Sequence, residues 1–137
     1  MSKKITYKVK NEDPLPFVVA ISTTESDYRL AWLLNSALKI NLARAEYLAS
    51  SSHQSFPTFF YLDDVGGIGY VLAASKVKGI HLTPQLKNVD YLFKISGTLT
   101  EDLKQELISK IRLIPEITAC ILVKTENSAF LCFLNNL

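Results

Sequence analysis

Phe56-Pro57-Thr58-Phe59-Phe60-Tyr61-Leu62, then Asp63-Asp64-Val65-Gly66-Gly67, then Ile68-Gly69-Tyr70-Val71-Leu72-Ala73-Ala74 reads as strand, turn and strand. The flanking runs are rich in aromatic and β-branched residues, and glycine at the end of the turn supplies positive φ without steric cost. A turn this short joins its strands antiparallel, because a parallel pair needs a crossover of a dozen residues or more. A phosphate-binding reading of Gly66-Gly67-Ile68-Gly69 fails: no Gly-Lys-Ser/Thr follows, and a strand stands where a helix would be required.

The same grammar extends in both directions. Upstream, Ile5, Tyr7 and Val9 alternate with Thr6, Lys8 and Lys10 and predict a first strand with one wet face. Asp13-Pro14-Leu15-Pro16 ends it, and Phe17 to Ile21 is a buried strand. Thr23-Thr24-Glu25-Ser26-Asp27 then opens a helix, with Thr24 as the expected cap and Asp27 in the capping-box position. Leu30, Leu33, Leu34, Ala37 and Leu38 form its core stripe, with Tyr28 and Trp32 on a neighbouring stripe and Arg29, Ser36 and Lys39 turned to water. Asn41 to Leu48 is compatible with a short second helix. Downstream, Lys76 to Leu86 is a loop and Val89 to Ile95 a strand. Gly97-Thr98-Leu99-Thr100-Glu101-Asp102 starts a second helix that carries the stripe Leu103, Leu107, Ile108, Ile111 and Ile114 up to Pro115, and Ile117 to Val123 and Ala129 to Leu134 form a last hairpin.

The order is β-(βαββ)-(βαββ), a single domain over residues 1–137 of class α+β: a largely antiparallel sheet with two main helices on one face. Both faces of the sheet are apolar. Ile117, Ala119, Ile121 and Val123 lie on one side of their strand and Cys120 and Leu122 on the other. Ile68, Tyr70 and Leu72 oppose Val71 and Ala73 in the same way. A sheet with one wetted face should alternate apolar with polar. Two helices, each about 10 Å wide, shelter one side of about four strands, so the second side is expected to need its own cover. The leading expectation is a second copy of the chain, with Phe130, Cys132 and Leu134 as the association surface. Residues 1–10 and the 75–88 loop, or a partner or apolar ligand, are the other candidates.

Composition narrows the function. The chain has 137 residues, 48% of them hydrophobic, with 15 basic and 13 acidic side chains and a formal charge of +2. Setting aside Lys3, Lys4, Lys8 and Lys10 leaves eleven positive charges against thirteen negative, so the body is mildly acidic. Arginine occurs only at Arg29, Arg44 and Arg112. That is not the basic face of a nucleic-acid binder, whose affinity comes from neutralised phosphates. No apolar run approaches the roughly 20 residues of a membrane span. Asn11 to Pro16 interrupts any signal-peptide core, and two cysteines are too few for a secreted disulfide scaffold, so a cytoplasmic protein is expected.

Candidate chemistry is sparse. Cys120 and Cys132 lie equidistant from Glu126; a three-residue turn places them opposite each other and a four-residue turn on opposite faces. The ordinary reading is two small buried hydrophobes. His53 and His81 have no ligand-like spacing to either thiol. Ser50 to Ser52 beside His53 lacks the Gly-x-Ser-x-Gly elbow, and Asp63-Asp64 reads as a solvated turn. Asp90 and Lys94 share a strand face as a surface pair, and an Asp90 found buried should accept backbone N–H bonds. The expectation is no catalytic, cofactor or metal site.

Thr83-Pro84-Gln85-Leu86-Lys87-Asn88-Val89-Asp90-Tyr91 resembles the signature of the bacterial IPExxxVDY family. Pro84, Val89, Asp90 and Tyr91 match it, whereas Thr83 and Gln85 replace the family's Ile and Glu. Ile21-Ser22 and Asp27-Tyr28-Arg29-Leu30-Ala31-Trp32-Leu33-Leu34-Asn35 resemble a second block of that family. The resemblance implies a bacterial, soluble protein without an assigned activity, with Tyr28, Arg29, Trp32, Asn35, Pro84, Val89, Asp90 and Tyr91 as motif residues of unknown role. The expected function is non-enzymatic association as a homodimer through the sheet. The alternative is a module binding a small apolar ligand in a groove between the βαββ halves, on the likeness of that order to gyrase-inhibitor-like and SOUL-type folds.

Overall fold

The structure is a computed structural model and describes residues 17–44, 48–49, 55–77, 80–81 and 89–123. Strand β1 (Phe17–Thr23) leads into α1 (Asp27–Leu38), and β2 (Ala43–Arg44) follows. β3 (Leu48–Ala49) and β4 (Ser55–Phe56) pair with each other, ahead of the hairpin β5 (Thr58–Asp63) and β6 (Ile68–Ala74). β7 (Lys76–Val77) and β8 (Ile80–His81) form a second small pair; β9 (Tyr91–Ser96), α2 (Glu101–Arg112) and β10 (Ile117–Leu122) complete the described chain. Six strands make the main sheet in the order β10-β1-β9-β6-β5-β2, antiparallel at every junction. The fold is α+β. Because β1 of the first half lies between β10 and β9 of the second, the halves share one sheet.

The central hairpin closes as its sequence requires. Gly67 has φ 68 and donates its N–H to the Asp63 carbonyl at 2.7 Å. The Asp63 carboxylate accepts from Val65 N at 3.1 Å and Gly66 N at 3.2 Å, so it serves the turn. Pro57, which has no N–H to give a ladder, separates β4 from β5 where the sequence suggested one strand. Where a short helix was expected over 41–48, the described Ala43 and Arg44 are instead a strand, paired with Phe60 and Phe59. The 76–86 loop holds the small β7–β8 pair.

Both helices lie on the face formed by Phe17, Val19 and Ile21 of β1. Val19, Phe93, Leu72 and Phe59 form one row across four strands on that side. Leu30 and Leu34 of α1 and Ile111 of α2 close over it, fully buried. Each such side chain contributes about 1.5–3 kcal/mol of burial free energy. The helices end by different devices. Ser26, rather than Thr24, caps α1 by accepting from Arg29 N at 3.3 Å, which places Asp27 in the first turn. Thr23 Oγ1 instead donates to the Glu116 carbonyl and accepts from Glu25 N, tying β1 to the α2–β10 corner. Thr100 caps α2 through Leu103 N at 3.1 Å.

The opposite face is apolar too, but its centre is not open. Val18, Ala20, Ala73 and Leu92 are buried there although neither helix covers them. Lys94 is buried among them, and desolvation holds its ammonium below the ordinary lysine value; the expected surface pair with Asp90 is therefore not a surface feature. The exposed apolar residues of this face stand at its margins: Phe60 and Leu62 on β5, and Ile121 on β10. Phe130, Cys132, Leu134, Pro84, Ser50 to Ser52 and His53 lie outside the described residues.

Candidate functional site

The motif residues divide into two groups by where their polar and apolar atoms go. Asp90, Tyr91 and Asn35 are spent inside the fold. The Asp90 carboxylate accepts Thr23 N at 3.0 Å, and its backbone N–H and carbonyl bond to Ile21 and Ser75. The Tyr91 hydroxyl donates to the Glu25 carbonyl at 3.0 Å. Burial, with Asp27 and Asp90 nearby, pushes Tyr91 up to about 12. Asn35 holds the chain leaving α1: its Oδ1 accepts from Leu42 N at 2.7 Å and its Nδ2 donates to the Leu42 carbonyl at 3.3 Å. Lys39, in the left-handed region with φ 59, makes the turn that this clamp secures.

Tyr28, Arg29 and Trp32 face outward. Tyr28 is 62% exposed and Trp32 56%, so the stripe beside the core stripe is wet. Neighbouring groups nevertheless hold both rings. The Arg29 guanidinium lies over the Trp32 ring at 4.8 Å. Arg29 also reaches Glu116 at 3.4 Å and Glu25 at 3.8 Å, so carboxylates on two elements fix its plane. Tyr28 meets Phe59 edge to face at 5.4 Å, and Arg44 lies over both rings, at 5.2 Å from Tyr28 and 5.4 Å from Phe59. Arg44 reaches Asp27 at 3.8 Å. Register places Arg44 opposite Phe59 on β5, which is why a two-residue strand can deliver it to α1.

Arg44, Phe59 and Glu116 are the members that sequence reasoning missed. The 41–48 segment lacks a clear period, and the juxtaposition of α1 with β2 and the α2–β10 corner is long-range. Between α1 and the end of α2, Leu33, Ser36, Ala37, Leu113 and Pro115 line a mostly apolar groove of about 380 Å³ that Lys110 and Glu116 also border. Leu113, the residue that caps α2, is 80% exposed there.

Other groups converge less. Cys120 is half-buried on the helix face; burial pushes its thiol up against the opposing pull of Arg112. Phe17, Ile108 and Leu122 line a smaller hollow of about 220 Å³ in which Lys104 is paired with Glu101. Among the described residues no three His, Cys, Asp or Glu side chains form a metal-binding group, and no helix is long and apolar enough to cross a membrane. Compared with known proteins, the sequence matches no family model and no curated protein.

Proposed function

We propose that this protein acts in the cytoplasm by non-enzymatic association, and that the outer face of α1 is its binding surface. The observation that carries the reading is the pre-ordered group Tyr28, Arg29 and Trp32, two exposed aromatic rings with a guanidinium that lies over one of them and is ion-paired to two carboxylates. Tyr, Trp and Arg are the residue types that dominate binding energy at protein interfaces. Rings and guanidinium already held in place lose less conformational freedom when a partner arrives. Kinship with the IPExxxVDY proteins belongs to the same proposal: its two blocks supply both the residues that present this face and those that brace it.

Self-association through the sheet is the second reading. Phe60 and Leu62 favour it, being 46% and 50% exposed on the face away from the helices. Burial at the centre of that face leaves it less apolar surface to hide.

A photo-activated cross-linking residue at position 32, installed in the full chain in cells, tests the leading reading. The expected result is a discrete adduct that the same residue at the fully exposed Val65 does not give. No adduct at position 32, with one formed from position 60, would transfer the function to the sheet.

A further inference from the structure

We infer that the outer face of α1 pairs with the same face of a second copy of this chain, the two helices antiparallel about a twofold axis through Trp32. This rests on the association reading above and names its partner. The stripe Tyr28, Arg29, Trp32 and Ser36 runs along α1 on the side away from the core, with Glu25 just ahead of the Ser26 cap and Lys39, the left-handed C-cap, flanking it at the two ends. Its chemistry is complementary to its own reverse. Trp32 stands at the middle of the helix, and residues equidistant from it face each other across an antiparallel pair.

Glu25 and Lys39 are equidistant, so the acid at one end of each helix meets the base at the other end of its partner. Among the described residues Lys39 belongs to no salt bridge, while Glu25 has only the long contact to Arg29 at 3.8 Å. Tyr28 and Ser36 are also equidistant. The large exposed ring therefore arrives at the smallest side chain of the stripe, where Ser36, Ala37 and Leu113 line one end of the apolar groove. The two Trp32 rings meet at the axis, each with its Arg29 on the far side.

A partner of different sequence would have to supply acid, small residue, ring and base in the reverse order. A second copy supplies them by symmetry, which is why the pattern points to this occupant. One helix pair with its flanking groove is a small interface, so the dimer forms in the micromolar range and not below it.

The purified full chain gives the test, because Trp32 is its single tryptophan and its emission reports on this surface alone. Light scattering should show the mass doubling as concentration rises through the micromolar range, with a blue shift of the emission on the same curve. Glu25→Lys and Lys39→Glu should each give a folded monomer. Mixed in equal amounts they should dimerise again, since the mixed pair restores both acid–base contacts and neither variant can do so alone. Ser36→Tyr, at an exposed position, should block the dimer without touching a charge. Cooperative thermal unfolding shows that each variant is folded.

A chain monomeric at every concentration overturns the inference. So does a dimer whose emission does not move, which would be held elsewhere, for example by the sheet. An adduct from position 32 to a different protein, with the purified chain monomeric, overturns self-pairing and leaves the association reading standing. No adduct from position 32 at all removes that reading as well.

Discussion

The two helices share one face of the sheet, and both are twelve residues long, yet their outer sides obey different rules. α2 turns Glu101, Asp102, Gln105, Glu106, Ser109 and Arg112 to solvent, with acids in its first turn and bases in its last. That is a helix whose outward surface exists to be wet and whose charges complement its own dipole. α1 has a single acid in its first turn, no base in its last, and Tyr28 and Trp32 exposed between them. Solubility and dipole compensation account for the surface of α2 and leave that of α1 unexplained. Inner faces are alike because both serve one core; the proposed association surface on α1 would account for the difference between the outer faces.

The inner likeness is the first place to press. Leu34→Ala in α1 and Ile111→Ala in α2 each truncate a side chain with no solvent exposure. Each should cost about 2–5 kcal/mol in urea unfolding followed by circular dichroism, and by similar amounts. A much smaller loss on one side would show that one helix is only an appendage to the core. Gly97→Ala probes the approach to α2 and should cost about 3 kcal/mol. Gly97 has φ 126, and a Cβ there would lie 2.6 Å from the Gly67 carbonyl oxygen, so strain and collision add.

Next comes the bracing of α1. Asp90→Ala leaves Thr23 N without its acceptor and should cost about 1–3 kcal/mol. Tyr91→Phe removes one hydrogen bond and should cost about 1 kcal/mol near neutral pH. Its pH dependence is the sharper readout. Tyr91 is held up to about 12 in the folded chain, above its ordinary value of 10.0. The folded state thus binds this proton more tightly than the unfolded state does. The resulting stabilisation is complete below about pH 10 and is lost as pH rises towards 12. Unfolding curves of the two proteins should therefore converge over that window, and a constant gap would mean that the hydroxyl is not in this environment.

Much of the frame was legible in the chain: the core stripes of both helices, the 56–74 hairpin and the apolar character of both sheet faces follow from periods of 3.6 and 2. What was not legible has particular causes. Thr24 and Ser26 are both competent caps by residue type, and local sequence does not rank them; the structure uses Ser26, while Thr23 is engaged by the distant Glu116 carbonyl. The strand at Ala43–Arg44 has too few residues to show a period, and its pairing with β5 is set by the Asn35 clamp. Tyr28 and Trp32 have the same helical spacing whether their stripe is buried or wet. Only the placement of α2 decides that Leu33 is covered and Trp32 is not. Alternation likewise reveals that the second sheet face is apolar but cannot say how far its centre is sheltered.

The smallest expected effects separate the outer faces most clearly. On α2, Glu106→Gln removes a salt bridge of 2.8 Å to Lys110 that is largely exposed, and should shift stability by at most about 0.5 kcal/mol. On α1, Lys39→Gly relieves a left-handed φ of 59 that glycine adopts freely, and should stabilise the fold by about 0.5–1 kcal/mol. The first change should leave the association state untouched. The second removes the base that meets Glu25 of the facing copy, so the chain should become more stable and less dimeric together. That opposition is informative because a general loosening of α1 would lower both. A Lys39→Gly protein that is more stable and dimerises as before would place the interface away from the end of α1, and with it the meaning of the exposed rings.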